Sequence, residues 1–289
     1  MKITACLKHT PSLSFEVFPP KTESTYDTVR RATEQIAALR PSFMSVTYGA
    51  GGGTSRYTLA IAKNIKEAYG VPSVAHLTCV SSTRATVRER IAEIREAGIE
   101  NVLALRGDLP PDTDPDAPRD YMHAAELVRE LRALCPELCI GGACYPECHP
   151  ESENSDTDIR YLKEKVDAGC DFLTTQMFFD NNILYSFLYK IREKGITVPV
   201  IPGIMPITSA KQVERAVKLS GSFMPRRFLS LVDRFGTSDA AMLQAGLIYA
   251  ADQIIDLFSA GIRHVHVYTM NKPAVAEALL SHLSAIIGG

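Results

Sequence analysis

The chain has 289 residues, 46% of them hydrophobic and 22% charged, with a formal net charge of −2. That balance, with no long run of lysine or arginine, argues against an electrostatic footprint for nucleic acid or an anionic membrane surface, although a small anionic ligand needs only a local patch. No stretch approaches the roughly 18 uninterrupted apolar residues of a membrane span, and MKITACLKHTPSLSFEVF has no apolar run of signal-peptide length. A cytoplasmic location and reduced thiols for the seven cysteines are therefore the expectations.

The first β-rich run is Ser14–Phe18, which carries Glu16 among apolar residues and stops at Pro19 and Pro20. Ser24 then reads as the cap of a helix whose apolar stripe is Val29, Ala32, Ile36 and Leu39, at spacings of three and four. The second run, Phe43–Thr47, leads through Thr47 and Tyr48 into a Gly-rich loop, Gly49 to Thr54. The third, Ser73–Cys79, carries His76 and Thr78; Ser82 or Thr83 opens the next helix, which stops at Gly98.

The fourth run, Asn101–Arg106, is apolar at nearly every position, as suits a strand buried on both faces. It leaves through Arg106, Gly107 and Asp108 into a Pro- and Asp-rich stretch ending at Arg119, read as a functional surface loop. The fifth, Leu138–Tyr145, is followed by Glu147 and His149. Ser155 or Asp156 opens a helix carrying Ile159, Leu162 and Val166 and closing at Gly169, with Asp158 and Lys165 on one face. The sixth run, Asp171–Phe178, carries Gln176, and the seventh is Val198–Ile204. The segment from Thr208 to Ala260 holds more helix than one crossover needs. The eighth run, Arg263–Tyr268, carries His266 and Tyr268 and leads to Thr269 and Asn271; Pro273 suits the first turn of a last helix.

Eight strands alternating with helices predict a parallel sheet. The simplest closure is one domain over residues 1–289, a (β/α)₈ TIM barrel with an extra helix before strand eight; an open doubly wound sheet is the alternative. In such a barrel the chemistry belongs at the carboxyl ends of the strands.

Among the strand-end residues, Glu16 stands out. Burial disfavours its charged form and makes it a usable general acid near neutrality; pairing with a barrel Lys or Arg is the alternative. Arg106 suits a ligand phosphate or carbonyl, or a salt bridge to Asp108 that shapes the loop. The Gly-rich loop permits close backbone approach to a phosphate or cofactor. It nevertheless has Thr54 where the dinucleotide fingerprint needs a third glycine, and a tight turn explains it equally well. Cys135, Cys139, Cys144 and Cys148, beside His149, contain no CxxC and read as core-filling thiols, with no metal site expected. On spacing alone, Asp158 and Lys165 read as solvated surface charges.

Taken in order, the segments SFEVFPPKT, SVTYGAGGGTSRYT, AHLTCV, NVLALRGDLP, CYPECHPE, LKEKVDAG, TTQMFFD, IPGIMPI and HVYTMNK resemble the methylenetetrahydrofolate reductases over nearly the whole chain, from Ser14 to Lys272. The resemblance implies a barrel that binds FAD and reduces 5,10-methylenetetrahydrofolate to 5-methyltetrahydrofolate, with NADH or NADPH as co-substrate and the electron donor left open. It implies Glu16 as the general acid. Asp108 is then the carboxylate that contacts the folate pterin and tunes the flavin, and Gln176, Gln212 and Lys272 are substrate contacts. Thr47, Tyr48, Ala50, His76, Arg106, Gly107, Asp108, Tyr145, His149, Asp158 and Lys165 become flavin contacts, which replaces the surface reading of Asp158 and Lys165. Lys272 stands where many relatives carry Arg, and a Lys cannot form the bidentate pair. Tyr161 and Glu164 replace the Asn and Arg of some relatives. A folate-binding methyltransferase barrel without flavin and a non-catalytic assembly subunit are the competing readings. The expected partners are a small-molecule folate and further copies of the chain in a homo-oligomer, with neither nucleic acid nor membrane.

Overall fold

The computed structural model describes residues 1–7, 10–48, 55–109, 114 and 117–287. The Gly-rich loop at 49–54, Ala50 with it, and most of 110–116 lie outside the described residues.

Nine strands form one sheet: β1 (Ser12–Val17), β2 (Met44–Val46), β3 (Ser73–Thr78), β4 (Asn101–Leu105), β5 (Cys139–Cys144), β6 (Phe172–Thr175), β7 (Val200–Ile201), β8 (Gly203–Ile204) and β9 (His264–Tyr268). Every pairing is parallel, in the order β7-β6-β5-β4-β3-β2-β1-β9-β8. The two ends of that order, β7 and β8, are separated in the chain by Pro202 alone. They are the halves of one strand, the predicted Val198–Ile204. Proline has no N–H for the ladder, so the strand breaks there. Its first half pairs with β6 and its second with β9, where the Pro202 carbonyl accepts from His266 N–H at 2.8 Å. This hand-over closes the sheet into a (β/α)₈ barrel.

The helices are α1 (Ile3–Cys6), α2 (Tyr26–Ala38), α3 (Ser55–Tyr69), α4 (Arg84–Glu96), α5 (Ala124–Leu134), α6 (Ser155–Asp167), α7 (Asn181–Glu193), α8 (Ala210–Ser220), α9 (Arg226–Phe235), α10 (Asp239–Ser259), α11 (Pro273–His282) and α12 (Ser284–Ile287). Thr83 caps α4 by accepting from Thr86 N–H, and Pro273 opens α11. Two predicted caps shift. Ser24 lies in a 3₁₀ turn, Glu23–Thr25, because Thr22 gathers the hydroxyls of Ser24 and Thr25 into a turn ahead of α2. The cap of α6 is Asn154, whose carboxamide accepts from Thr157 N–H; Ser155 is the first helical residue. Three helices, α8 to α10, lie between β8 and β9. Among the described residues no helix is long and apolar enough to cross a membrane.

Side chains alternate along each strand, and the barrel uses the two directions differently. Outward residues such as Phe15, Val46, Leu77, Ala104, Ile140 and Leu173 pack under the helices. A second cluster collects Phe43, just before β2, with Val74, Leu103, Cys139, Phe172 and Ile201 of β3 to β7, and Ile3 and Cys6 of α1 are packed on it. This is the inner floor of the barrel. Helix α1 is pinned across it by Ile3 N–H donating to Asn101 Oδ1 at 2.8 Å. Gly141 leaves room for the Phe172 ring, which a Cβ there would overlap. The cysteines follow the same division: Cys135 and Cys144 are in the outer core and Cys139 is in the floor, all three buried with free thiols.

Candidate active site at the carboxyl ends of the strands

One step further along the same strands, the inner wall turns polar. Ser14 and Glu16 of β1, Ser45 of β2, His76 of β3 and His266 of β9 follow Phe43, Val74 and their neighbours at alternate positions. The register places Ser14 opposite His266, and Glu16 opposite both Ser45 and Tyr268.

Glu16 is 21% exposed. Its Oε2 lies 3.4 Å from Ser45 Oγ, 3.6 Å from His76 Nε2 and 3.9 Å from His266 Nε2. Burial pushes its carboxyl up to about 8, against a smaller opposing pull from the Ser45 hydroxyl. Burial also pulls His76 and His266 down to about 3, and the mutual repulsion of the two rings adds to the shift of His266. Near pH 7 both imidazoles are therefore neutral and the carboxyl is mostly protonated, so these short distances join neutral groups rather than ion pairs. No lysine or arginine pairs with Glu16 among the described residues, and the predicted alternative of a barrel ion pair falls. His76 Nε2 is buried and has no hydrogen-bond partner among the described residues.

The backbone around Glu16 is tied to the exit of β9. Thr269 Oγ1 donates to the Glu16 carbonyl at 2.7 Å. Asn271 bridges Phe18, accepting from its N–H and donating to its carbonyl, both at 2.9 Å. Asn271 does this at φ +54°, a left-handed conformation for which Asn is among the better-suited residues. Tyr268 reaches across the barrel to donate to the Thr175 carbonyl at 2.5 Å.

On the opposite rim, β4 leaves through Arg106, Gly107 and Asp108. Gly107 adopts φ +86°, and a Cβ there would press on Thr78. Arg106 donates to Glu151 at 2.6 Å, so its partner is this loop carboxylate rather than the predicted Asp108. Asp108 is exposed, and its charge, after burial, helps raise the Tyr145 phenol to about 12. The Tyr145 and His149 rings meet edge to face at 4.6 Å. Asp158 of α6 accepts from His149 N–H at 3.2 Å and Ser152 Oγ at 3.1 Å, and Lys165 donates to the Ala143 carbonyl. Arg106, Tyr145, His149, Asp158 and Lys165 thus form one neighbourhood, and a recess of about 270 Å³ lined by Tyr145, Cys148 and Asp158 opens between α6 and α7.

Thr47 and Tyr48 lie between these two sides, with the Thr47 carbonyl accepting from Thr58 Oγ1 at 2.9 Å. The Gln176 carboxamide oxygen accepts from Met177 N–H at 2.9 Å. Gln212 closes a capping box at the start of α8, its oxygen accepting from Thr208 N–H at 2.7 Å. Lys272 donates to Thr208 Oγ1 at 2.9 Å, which gathers Lys272 and Gln212 around one threonine.

The sequence reading missed Ser14 and Ser45. Their only signal was position, two residues from Glu16 or inside a short apolar strand. Their meaning depends on a register that no single strand reveals.

A model of the family described as methylenetetrahydrofolate reductase matches residues 2–284. The 5,10-methylenetetrahydrofolate reductase of Pectobacterium carotovorum subsp. carotovorum is 34% identical over 269 residues, covering 93% of this chain and 88% of that protein. That of Salmonella typhimurium is 35% identical over 269 residues, covering 93% and 89%. Methylenetetrahydrofolate reductase (NADH) 1 of Zea mays is 34% identical over 287 residues, covering 95% of this chain; the chain spans only 48% of that plant protein. Among solved structures, an uncharacterized protein from Clostridium thermocellum that binds two copies of 5-methyl-5,6,7,8-tetrahydrofolic acid shares the fold, with a TM-score of 0.64, 16% identity and coverage of 99% and 98%.

Proposed function

The chain belongs to the methylenetetrahydrofolate reductase family of oxidoreductases, and on that premise we propose that, as a single barrel domain, it reduces 5,10-methylenetetrahydrofolate to 5-methyltetrahydrofolate with FAD and a reduced nicotinamide. The observation that carries this reading is Glu16: a carboxyl inside the barrel mouth, pushed up to about 8 and faced, among the described residues, by neutral groups. NADH in the name of the maize relative supports the choice of a nicotinamide donor.

The residues present fit a flavin. His76 offers a buried nitrogen with no partner among the described residues. Gly107, at positive φ, brings backbone to the rim. Arg106 and Lys165 are held by one exposed glutamate and one carbonyl, partners that a phosphate can replace. Thr47, Tyr48, His76, Arg106, Gly107, Asp108, Tyr145, His149, Asp158 and Lys165 would hold the group. When bound, FAD supplies the hydride chemistry.

The chain's own residues do the rest. Glu16 gives its proton to the amine nitrogen that leaves the one-carbon bridge as the five-membered ring opens. The substrate becomes cationic at that moment, and the exposed carboxylate of Asp108 stabilises the developing charge. Gln176, Gln212 and Lys272 orient the substrate from the rim, with Lys272 attracting its anionic tail.

An anaerobic absorbance titration tests the reading. The purified protein is expected to show the flavin bands, lose them with NADH or NADPH, and regain them with methylenetetrahydrofolate. A colourless protein that binds folate but gains no flavin on addition of FAD overturns it.

A further inference from the structure

Arg106 is a rim cation with an anion on it. Its Nη1 donates to Glu151 Oε2 and its Nη2 to Glu151 Oε1 at 2.6 Å, a two-pronged pair between the exit of β4 and the loop after β5. Its Nε donates to the Gly107 carbonyl at 3.1 Å. A guanidinium offers two edges with paired donors. Glu151 takes one, and the Gly107 carbonyl takes a donor of the other. A phosphate that engages Arg106 by a fork must therefore take the place of Glu151.

Both loops are positioned without this pair. The Arg106 carbonyl accepts from Cys79 N–H at 3.1 Å and from Val80 N–H at 2.8 Å. Across the gap, His149 N–H donates to Asp158 at 3.2 Å, Ser152 Oγ donates to Asp158 at 3.1 Å, and Ser152 N–H donates to the His149 carbonyl at 2.9 Å. The Glu151 side chain is 55% exposed, against 21% for Arg106. Rotation about its own single bonds moves the carboxylate into water and leaves the guanidinium in the wall.

Charge gives the exchange a sign. The bond from Arg106 holds the Glu151 carboxyl below its ordinary value, so near pH 7 it meets the guanidinium as an anion. Glu151, Asp108 and Asp158 share the Tyr145–His149 neighbourhood with Arg106 and Lys165. Three carboxylates there face two cations, and burial lowers His149, which keeps it from adding a third cation. A diphosphate brings more negative charge to the same place. Turning Glu151 outward removes the anion nearest Arg106 and frees two donors at once. Lys165 donates to the neutral Ala143 carbonyl, so no carboxylate has to leave it.

We propose that Glu151 competes with the diphosphate of the flavin cofactor for the Arg106 fork, and so sets how tightly this chain holds that cofactor. The inference rests on the reading of Arg106 as a flavin contact.

The test is flavin affinity, read by fluorescence as FAD is titrated into the full-length chain. Glu151→Gln removes the anion at nearly constant size and is expected to tighten FAD binding about fivefold, as freeing a cation from a partly exposed pair should. Glu153→Gln neutralises an exposed glutamate two positions away and is expected to change the affinity by less than about twofold. An equal gain in both variants overturns the proposal, because the effect would then be one of general charge. Weaker FAD binding in Glu151→Gln also overturns it, because Glu151 would then hold Arg106 in place for the cofactor.

Riboflavin carries no phosphate, and Glu151→Gln is expected to leave its affinity unchanged; a gain equal to that of FAD overturns the proposal. In an Arg106→Ala background the gain from Glu151→Gln should vanish, and a gain that persists there overturns it too. A lower KM for NADH with no gain for FAD removes the assignment to the flavin. An unaltered chain that takes up no FAD sinks the flavin reading and this inference together, whereas FAD uptake with no gain in Glu151→Gln sinks the competition alone.

Discussion

The floor of the barrel and its mouth meet on β2 and β3, two residues apart. At β2 the inward step goes from Phe43, just before the strand, to Ser45, and on β3 from Val74 to His76. Below the step, rings and aliphatic chains from Phe43 and from β3 to β7 fill the interior, and α1 covers them. Above it, a carboxyl and two imidazoles sit without a counter-charge among the described residues, and burial drives each toward its neutral form. The floor contributes stability through area removed from water. The mouth gives some of it up to bury a carboxyl in its neutral form. A (β/α)₈ barrel can do both because each layer of its interior is specified independently by alternate residues.

The largest effect is expected at the mouth. Glu16→Gln should slow folate reduction by about two to four orders of magnitude, the usual worth of a general acid, while flavin reduction by the nicotinamide is retained; separate stopped-flow half-reactions measure both. The floor should respond in the other currency. Phe172→Ala should cost about 3–5 kcal/mol of unfolding free energy by denaturant titration, with little change in either half-reaction of the folded enzyme.

The pH dependence of stability joins the two regions. The folded-state value for Glu16 is raised from 4.5 to about 8, so its contribution is complete below 4.5 and is lost as pH rises to 8. His76 and His266 are lowered from 6.5 to about 3, so their contributions are complete above 6.5 and are lost as pH falls toward 3. Between 4.5 and 6.5 two histidines gain against one glutamate, and above 6.5 the glutamate alone loses. Stability should therefore peak near pH 6.5. Glu16→Gln should remove the alkaline fall, a difference on the order of a few kcal/mol, while leaving the acid side in place. An unchanged alkaline limb in that variant would show that Glu16 titrates normally.

Smaller effects belong to the rim. Asp108→Asn should weaken folate reduction by about tenfold through lost charge stabilisation, with flavin affinity nearly intact by fluorescence titration. Lys272→Ala should raise the KM for folate by only about two- to fivefold, as expected of an exposed charge.

Much of the fold was legible. Strands such as Asn101–Leu105 and helices such as Arg84–Glu96 announce themselves by apolar runs, by period and by the Thr83 cap, all local properties of the chain. Strand seven was legible as one run, but its division at Pro202 was not, because the break matters only once β6 and β9 compete for its two halves. Arg106 was legible as a strand-end cation. Its partner Glu151 was not, since it lies 45 residues away, in the loop after β5.

The sequence by itself determined the alternation of strand and helix, the family, and the presence of a lone glutamate in an apolar strand. Those follow from periodicity and from the residue types at the strand ends. Only the tertiary structure decided what surrounds that glutamate. Bringing Ser14, Ser45, His76 and His266 within reach requires the parallel register of β9, β1, β2 and β3, whose segments are as far as 252 residues apart in the chain. Burial is a property of that packed arrangement, and it is burial that pushes the Glu16 carboxyl up.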